Sequence, residues 1–322
     1  MHESRLMLLA LLVLGTISAA VAQGYPSRPI RVVIPWPPGQ ATDLVGRIVA
    51  LKLTDLLGQQ VVADNRPGAG GMIGTDIAAK SAPDGYTLLA GSSGPVSINP
   101  LLQKAPYDPE RELAPVANVA MSPYVLASHP SFPAKTAPEF IAQVKANPGK
   151  YTFASSGTGA TAHLVAEWFN NINGLKATHV PYKGSAPAMI DMIGGQVAYA
   201  LETAAATMPH VRAGRLKAYG ISIGRTSVLA PELQPLATSA NMPGFDVAAW
   251  IGVMVPSGTP KNLIQRLAVE VDKAMQGTDA RDRLIAAGVE VDYRRTEDFT
   301  QYLKTQKVRF ADVIKKGNIK IE

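Results

Sequence analysis

Twice in this chain an apolar run ends in a turn of small residues that opens directly into a helix. The first instance is Ile30-Arg31-Val32-Val33-Ile34, then Pro35-Trp36-Pro37-Pro38-Gly39-Gln40-Ala41-Thr42-Asp43, then residues 44–57. The second is Tyr151-Thr152-Phe153-Ala154, then Ser155-Ser156-Gly157-Thr158-Gly159-Ala160-Thr161, then residues 162–170. A β-branched run without alternation reads as a strand buried on both faces. Leu44, Ile48, Leu51 and Leu53 are placed for one face of the helix that follows. Repetition of this unit confines the chain to the α/β class. At each turn the first N–H groups of the helix point into the loop, where the helix dipole favours an anion. In the first turn three prolines stiffen the backbone and Gly39 lets a ligand approach the main chain. A carboxylate holder is one reading of this loop. A rigid strand–helix connection with no ligand is the other.

The remaining elements keep the alternation. Strands are expected at residues 60–64, 87–90, 113–119, 124–128, 177–180, 197–201, 216–222 and 248–255. Helices are expected at 75–80, 138–146, 186–193, 207–213, 260–275, 280–287 and 296–314. The hydroxyls of Ser92 and Ser93 follow the carboxyl end of a strand, where ligands sit in open α/β sheets. Prolines 106, 109, 123, 130 and 133 punctuate a first crossing between domains, and the strand at 216–222 is read as returning towards the first domain. With 322 residues the chain has the length of two domains. The expected division is 23–120 plus 221–322 for one domain and 121–220 for the other, with mainly parallel sheets and a cleft between them, a favoured place for small molecules.

Residues 1–22 read as a signal peptide. Arg5 supplies the basic start, residues 6–20 an apolar run too short to span a bilayer, and Ala20-Val21-Ala22 a small-x-small cleavage site. There is no cysteine, so disulfides and thiol chemistry are excluded. An exported chain without disulfides suits a bacterial periplasm. The net charge of +6 is spread along the chain except for the lysines between Lys304 and Lys320, and only 6% of residues are aromatic. A nucleic-acid partner is therefore not expected, whereas a mildly positive field suits an anionic ligand.

Several motifs tempt and fail. Gly157-Thr158-Gly159-Ala160-Thr161-Ala162 matches the dinucleotide-binding spacing, but the region twenty residues on reads Ala177-Thr178-His179-Val180 and carries no carboxylate. Gly220-Ile221-Ser222-Ile223-Gly224 matches a nucleophile elbow, but all five histidines lie upstream of Ser222. Asn65-Arg66-Pro67-Gly68-Ala69-Gly70-Gly71 lacks the Lys-Ser/Thr of a P-loop. No histidine pair has metal-ligand spacing, so no metal and no cofactor are expected.

Four groups of residues together resemble the Bug-type receptors of the tripartite tricarboxylate transporter class. They are the first loop, Pro35 to Asp43; the Asn65 to Gly71 turn; Ala154-Ser155-Ser156-Gly157-Thr158-Gly159-Ala160-Thr161-Ala162-His163-Leu164; and His179-Val180-Pro181-Tyr182-Lys183-Gly184 with Trp250-Ile251-Gly252 and Pro256-Ser257-Gly258-Thr259-Pro260. The resemblance covers the chain from about Tyr25 onward. It implies a two-domain periplasmic-binding-protein fold, a Venus flytrap whose cleft closes on one small carboxylate-bearing solute. It implies no enzymatic role, a monomer, and delivery of the solute to integral membrane transporter subunits. An α/β enzyme acting on a carboxylate and a sensory receptor of the same fold are the alternatives.

The resemblance also gives the site. Trp36, Pro38, Gly39, Gln40, Ala41, Thr42 and Asp43 form one jaw. Ser155, Ser156, Gly157, Thr158, Gly159, Ala160 and Thr161 form the other, and Ser92 and Ser93 join them as candidates from their place at the end of a strand. Gln40 stands where the family commonly has a second glycine, and Trp36 where it has Phe or Tyr. Thr158 stands where Asn is common. Glu202-Thr203 replaces a frequent Asp-Asn and is expected at the distal pocket, where Glu202 pairs a ligand ammonium, repels a second carboxylate or is satisfied locally. His163 reads more plainly as bonded to its neighbours than as a ligand contact, and Asp43 as fixing its loop.

Overall fold

The structure, a computed structural model, describes residues 24–317 and residue 319. The signal segment 1–22 lies outside the described residues. In chain order the strands are β1 (Ile30–Ile34), β2 (Val61–Asn65), β3 (Thr87–Ser92), β4 (Leu113–Ser128), β5 (Thr152–Ser155), β6 (Thr178–Pro181), β7 (Tyr199–Thr203), β8 (Lys217–Ile221), β9 (Ala248–Pro256) and β10 (Glu290–Arg294). The longer helices are α1 (Ala41–Leu57), α2 (Met72–Ala79), α3 (Ala137–Lys145), α4 (Thr161–Asn173), α5 (Ser185–Ile193), α6 (Ala204–Arg212), α7 (Lys261–Gln276), α8 (Thr278–Ala286) and α9 (Thr296–Gly317).

The strands follow one curled path, β2-β1-β3-β9-β4-β7-β5-β6, with β8 and β10 also paired to β4. Strand β4 is shared by two sheets. Its first part pairs antiparallel with β9 and β10, and Tyr124 to Ser128 pair with β7 and β8. The expected break at 120–123 is absent, and one continuous strand replaces the two short ones. Pro115 and Pro123 are tolerated because register shifts beside Pro115 absorb a missing donor and Pro123 lies at the end of the β9 pairing. Among the described strands, parallel ladders join β1 to β2 and β3, and β5 to β6 and β7. The sheets are therefore mixed, contrary to the mainly parallel expectation, because β4 and β9 run between the sheets against the direction of the βα units.

Each sheet is buried on both faces. Ile30, Val32 and Ile34 of β1 pack with Val45, Val49 and Leu53 of α1 and with Leu267 and Val271 of α7. Val33 points the other way, towards Met72, Trp250, Met254 and Phe299. In the second sheet Phe153, Tyr199 and Leu201 meet Phe140 and Phe169 on one face, while Ala154 and Ala200 meet Met189, Met192 and Met208 on the other. The buried face of α1 is only in part the one expected: Leu53 is buried, and Leu44 and Ile48 are half-buried. Leu51 is 46% exposed, and Val45, Val49 and Leu53 are inside. The helix lies close on β1 through Gly46, where a Cβ would come within 3.0 Å of the Ile34 side chain, and Leu51 falls on the outer side.

After β8 the chain does not leave the second sheet at once. Leu236, Met242, Phe245 and Val247 pack in the aromatic cluster around Phe140 and Phe169, and Phe310 and Val313 near the end of α9 join them. Ser222 sits at this point, fully buried, accepting from the Tyr124 N–H at 2.8 Å and donating to the Val247 carbonyl at 2.5 Å. Through these two bonds it braces β4 against the segment that leads into β9. Strand β10, at the outer edge of β4, escaped the sequence reading because its two apolar residues, Val291 and Tyr293, are only half-buried or exposed.

Candidate ligand-binding cleft

Ile34 ends β1 buried, and the chain then turns through Pro35 to Gly39 into α1. Gly39 has φ +86°, a left-handed conformation that L side chains rarely adopt. Its N–H donates to Asp43 Oδ2 at 2.9 Å. Asp43, 2% exposed, also accepts from Asn65 Nδ2 at 2.8 Å and from Arg47 Nε at 3.0 Å. Asn65 further donates to the Trp36 carbonyl at 2.9 Å. The Trp36 indole N–H donates to Ser92 Oγ at 2.9 Å. The first loop is thus tied at both ends and in the middle, and Asp43 is used up in holding it. Asn65, the first residue of the glycine-rich signature, is a brace for this loop. The motif itself shows only a glycine-rich turn and carries no sign of that role. The N-cap of α1 is Gln40, whose side chain makes no capping bond, so nothing from the chain's own caps covers the first N–H groups of the helix.

The second loop is built differently. Gly157 has φ +136° and Gly159 φ +75°, and the Ala160 N–H closes the turn on the Gly157 carbonyl at 3.1 Å. Ala160 caps α4 and likewise has no side-chain bond to offer. Ser155 Oγ lies 2.7 Å from His179 Nε2, and His163 Nδ1 accepts from the Gly159 N–H at 3.4 Å. The two imidazoles stack at 3.9 Å with an interplanar angle of 9°. Burial lowers His163 to about 4, and burial with the neighbouring His163 lowers His179 to about 3. Both rings are therefore neutral at pH 7 and act as a flat wall behind the loop.

Each loop is met by a turn from the opposite sheet. A Cβ on Gly70 would lie 2.8 Å from the Thr158 carbonyl, and one on Gly94 would lie 3.6 Å from the Thr161 nitrogen. A Cβ on Gly184, the N-cap of α5, would lie 3.0 Å from Gln40 Nε2. Glycine is required at Gly70 and Gly184 because φ is positive and the opposing loop is in contact.

Between them lies a cavity of about 30 Å³. Of the residues expected at the site, Trp36, Gln40, Ala41, Thr42, Ser92, Ser156, Ala160, Thr161 and Glu202 line it. Pro38 and Gly39 face a separate depression in front of Gly184 and Ser185. Ser93 is turned away, accepting from the Trp250 N–H at 2.8 Å. Asp43, Ser155, Gly157, Thr158, Gly159 and His163 shape the loops from behind without lining the cavity. The structure adds Tyr124 and Ser185 to the lining. Tyr124 follows Pro123 in the middle of β4, and no motif marks it. Burial, then the nearby Glu202 carboxyl, push its phenol far up, while the Thr161 hydroxyl opposes them. Glu202 is 1% exposed and its Oε1 accepts from the Thr203 N–H at 2.8 Å. Burial raises its pKa, and the Thr203 amide with the Ser156 and Ser185 hydroxyls oppose that rise.

A larger surface cleft of about 740 Å³ lies elsewhere, between residues 96–115 and α9, beside Lys104, Lys304 and Lys307. The residues at its rim come from neighbouring parts of the first sheet and α9. The expected loops do not reach it. Among the described residues no group of three His, Asp or Glu side chains could hold a metal ion, and no helix is long and apolar enough to cross a membrane.

Two βα loops from opposite sheets, facing one cavity with uncapped helix starts, define the class of the molecule: a solute-binding protein of the periplasmic type. Residues 45–319 match the family described as tripartite tricarboxylate transporter family receptor, and the chain belongs to that family. It is 36% identical over 310 residues to BugT of Bordetella pertussis, covering 96% of this chain and 95% of that protein. Among solved structures, the periplasmic binding protein BugD superposes with a TM-score of 0.86 at 32% identity, covering 92% of this chain and all of that one. MatC from Rhodopseudomonas palustris with bound malate superposes with a TM-score of 0.84 at 30% identity, covering 90% and 100%. The fold is accordingly the two-domain periplasmic-binding-protein fold, and the family is one of solute-binding receptors, not enzymes.

Proposed function

We propose that the protein is exported by cleavage of residues 1–22, captures one small carboxylate-bearing organic acid between its two domains, and hands it to integral membrane subunits of a tripartite transporter. The observation that carries this reading is the pair of uncapped helix starts, at Gln40–Ala41 and Ala160–Thr161, on one cavity. Backbone N–H groups at helix ends bind an anion without a titrating partner, and no Lys or Arg lines the cavity. The malate of the related MatC structure has the chemistry such a site accepts. In this reading the protein is a monomer whose domains divide near residue 121 and again between 221 and 247, the segment 222–247 moving with the second sheet on which it packs. Ligand contacts from both domains then shift the population towards the closed form.

A thermal-unfolding screen of mono- and dicarboxylates tests the proposal. A ligand at a hundred times its dissociation constant adds about 2.7 kcal/mol. Stabilisation by a carboxylate and not by its amide supports the reading. Equal stabilisation by acid and amide, or turnover of the ligand, contradicts it.

A further inference from the structure

We propose that Glu202 holds the ligand as a neutral carboxylic acid, its Oε2–H donating to a ligand carboxylate oxygen, so that capture takes one proton from solvent. The inference rests on the carboxylate-receptor reading and adds a proton to it.

The geometry begins with burial. Glu202 is 1% exposed, near the end of β7, and its carboxyl lines the same cavity as Trp36, Thr42, Ser156 and Thr161. Oε1 has the Thr203 N–H, whereas Oε2 is buried and makes no hydrogen bond of ordinary geometry among the described residues, the Ser156 and Ser185 hydroxyls and the Ser156 N–H being the donors beside the carboxyl. No Lys, Arg or His lines the cavity. A ligand carboxylate gripped by the two loops therefore meets a second carboxyl across a small space with no cation between them. Two carboxylates so placed do not both ionise, and they share a proton. The shared proton gives a short, charge-assisted O–H···O bond in place of a repulsion.

The groups facing Glu202 leave it as the site of that proton. Strand β4 brings Tyr124, whose phenol burial and Glu202 itself keep neutral. Strand β5 brings no titratable side chain, and β9 brings Ala249 and Ile251. Helix α1 brings Asp43, already bonded to Gly39, Asn65 and Arg47. Helix α4 brings His163, neutral at pH 7, with Glu167 one turn beyond. Asp191 of α5 accepts from the Tyr182 hydroxyl at 2.8 Å, and His210 and Arg212 lie in the last turn of α6. On β8, beyond β4, Lys217 is bonded to the Phe132 and Ala134 carbonyls. Burial has already raised the Glu202 carboxyl in the free protein, and a ligand anion raises it further. Affinity is then flat below the free-protein pKa, falls about tenfold per pH unit between the free and liganded values, and is flat again above both.

Calorimetry with succinate, malate and adipate, from about pH 6.5 to about 8.5 in buffers of different ionisation enthalpy, counts the proton. The expected result is uptake of up to one proton by the wild type. Glu202→Gln, which keeps a donor of the same shape, is expected to bind within about tenfold of the wild type at the lower pH, with no uptake and no pH dependence. Wild-type binding with zero uptake and flat affinity overturns the proposal while leaving the receptor reading standing. Unchanged uptake in Glu202→Gln overturns it too, by placing the proton elsewhere. Binding confined to an ammonium-bearing acid such as aspartate, and lost in Glu202→Gln, overturns it in favour of an ionised Glu202 paired with a cation. Absence of binding by every carboxylate removes the receptor reading and this inference together. Should Glu202→Gln fail to fold, which a thermal melt shows, the wild-type proton count decides alone.

Discussion

Replacing Gly39 with valine isolates the backbone's share of ligand binding. A Cβ at this position meets nothing within 4 Å. The cost worked out here is that of φ +86°. Holding an L residue there costs about 1–2 kcal/mol, and a β-branched residue lies towards the upper end of about 1–3 kcal/mol. The loop can escape by rotating the peptide, which breaks the 2.9 Å bond from the Gly39 N–H to Asp43 Oδ2. That bond to a charged acceptor is worth about 1.5–3 kcal/mol. By either route the protein loses about 2 kcal/mol, and with an unfolding entropy of about 2.1 cal/mol/K per residue the melting temperature of a chain this long falls by about 3 °C. The fold survives, because the cores on both sheets are untouched. Affinity for the ligand falls at least about a hundredfold, near 2.7 kcal/mol, since the start of α1 is no longer presented to the cleft. Gly39→Ala shows the same effects at smaller size. Calorimetry and thermal unfolding of the two variants measure both quantities. Ligand affinity in Gly39→Val within twofold of the wild type refutes the backbone-clamp argument.

Other expectations follow from the same geometry. Asn65→Ala removes the donor to Trp36 O and Asp43, costs about 1–3 kcal/mol of stability and weakens ligand binding without touching the ligand; unchanged binding and melting would remove Asn65 as the brace. Gln40→Gly shifts affinity by a modest factor, under about tenfold, because a Gln side chain with an unpartnered Nε2 is lost but the helix start remains; loss of all binding in calorimetry would show that the Gln40 amide is itself a principal ligand contact. His163 and His179 are held below their ordinary value of about 6.5, at about 4 and about 3. The unfolded chain therefore binds more protons than the folded one in this window. Stability is fully present above pH 6.5 and is lost as pH falls towards 4 and then 3, with a slope approaching two protons. His179→Asn should lower that slope by about one proton, and an unaltered slope in pH-dependent melting would contradict it.

The two jaws were legible because the βα turn is a local device. A buried strand, a run of small residues and an amphipathic helix are adjacent in sequence, and Trp36, Thr42, Ser156 and Thr161 fall out of that adjacency. What stayed hidden depends on pairing across long separations. Tyr124 reaches the cleft only because β4 runs unbroken from one sheet to the other, and its prolines argued locally for a break. Asn65 looked like part of a glycine-rich turn, and its bond to Trp36 spans 29 residues. On α1 hydrophobicity favours Leu51, whereas the close approach through Gly46 puts Val45 and Val49 inside with Leu53 and leaves Leu51 out. Strand β10 has too little apolar surface to announce itself and exists through its pairing with β4.

The most direct test of the account is a calorimetric titration of the mature protein with a carboxylate series, each acid paired with its amide. The account predicts saturable one-to-one binding of at least one acid and none of its amide, because uncapped N–H groups at two helix starts select for the negative charge. Binding of the amide as tightly as the acid, or no binding by any carboxylate in the series, would contradict it.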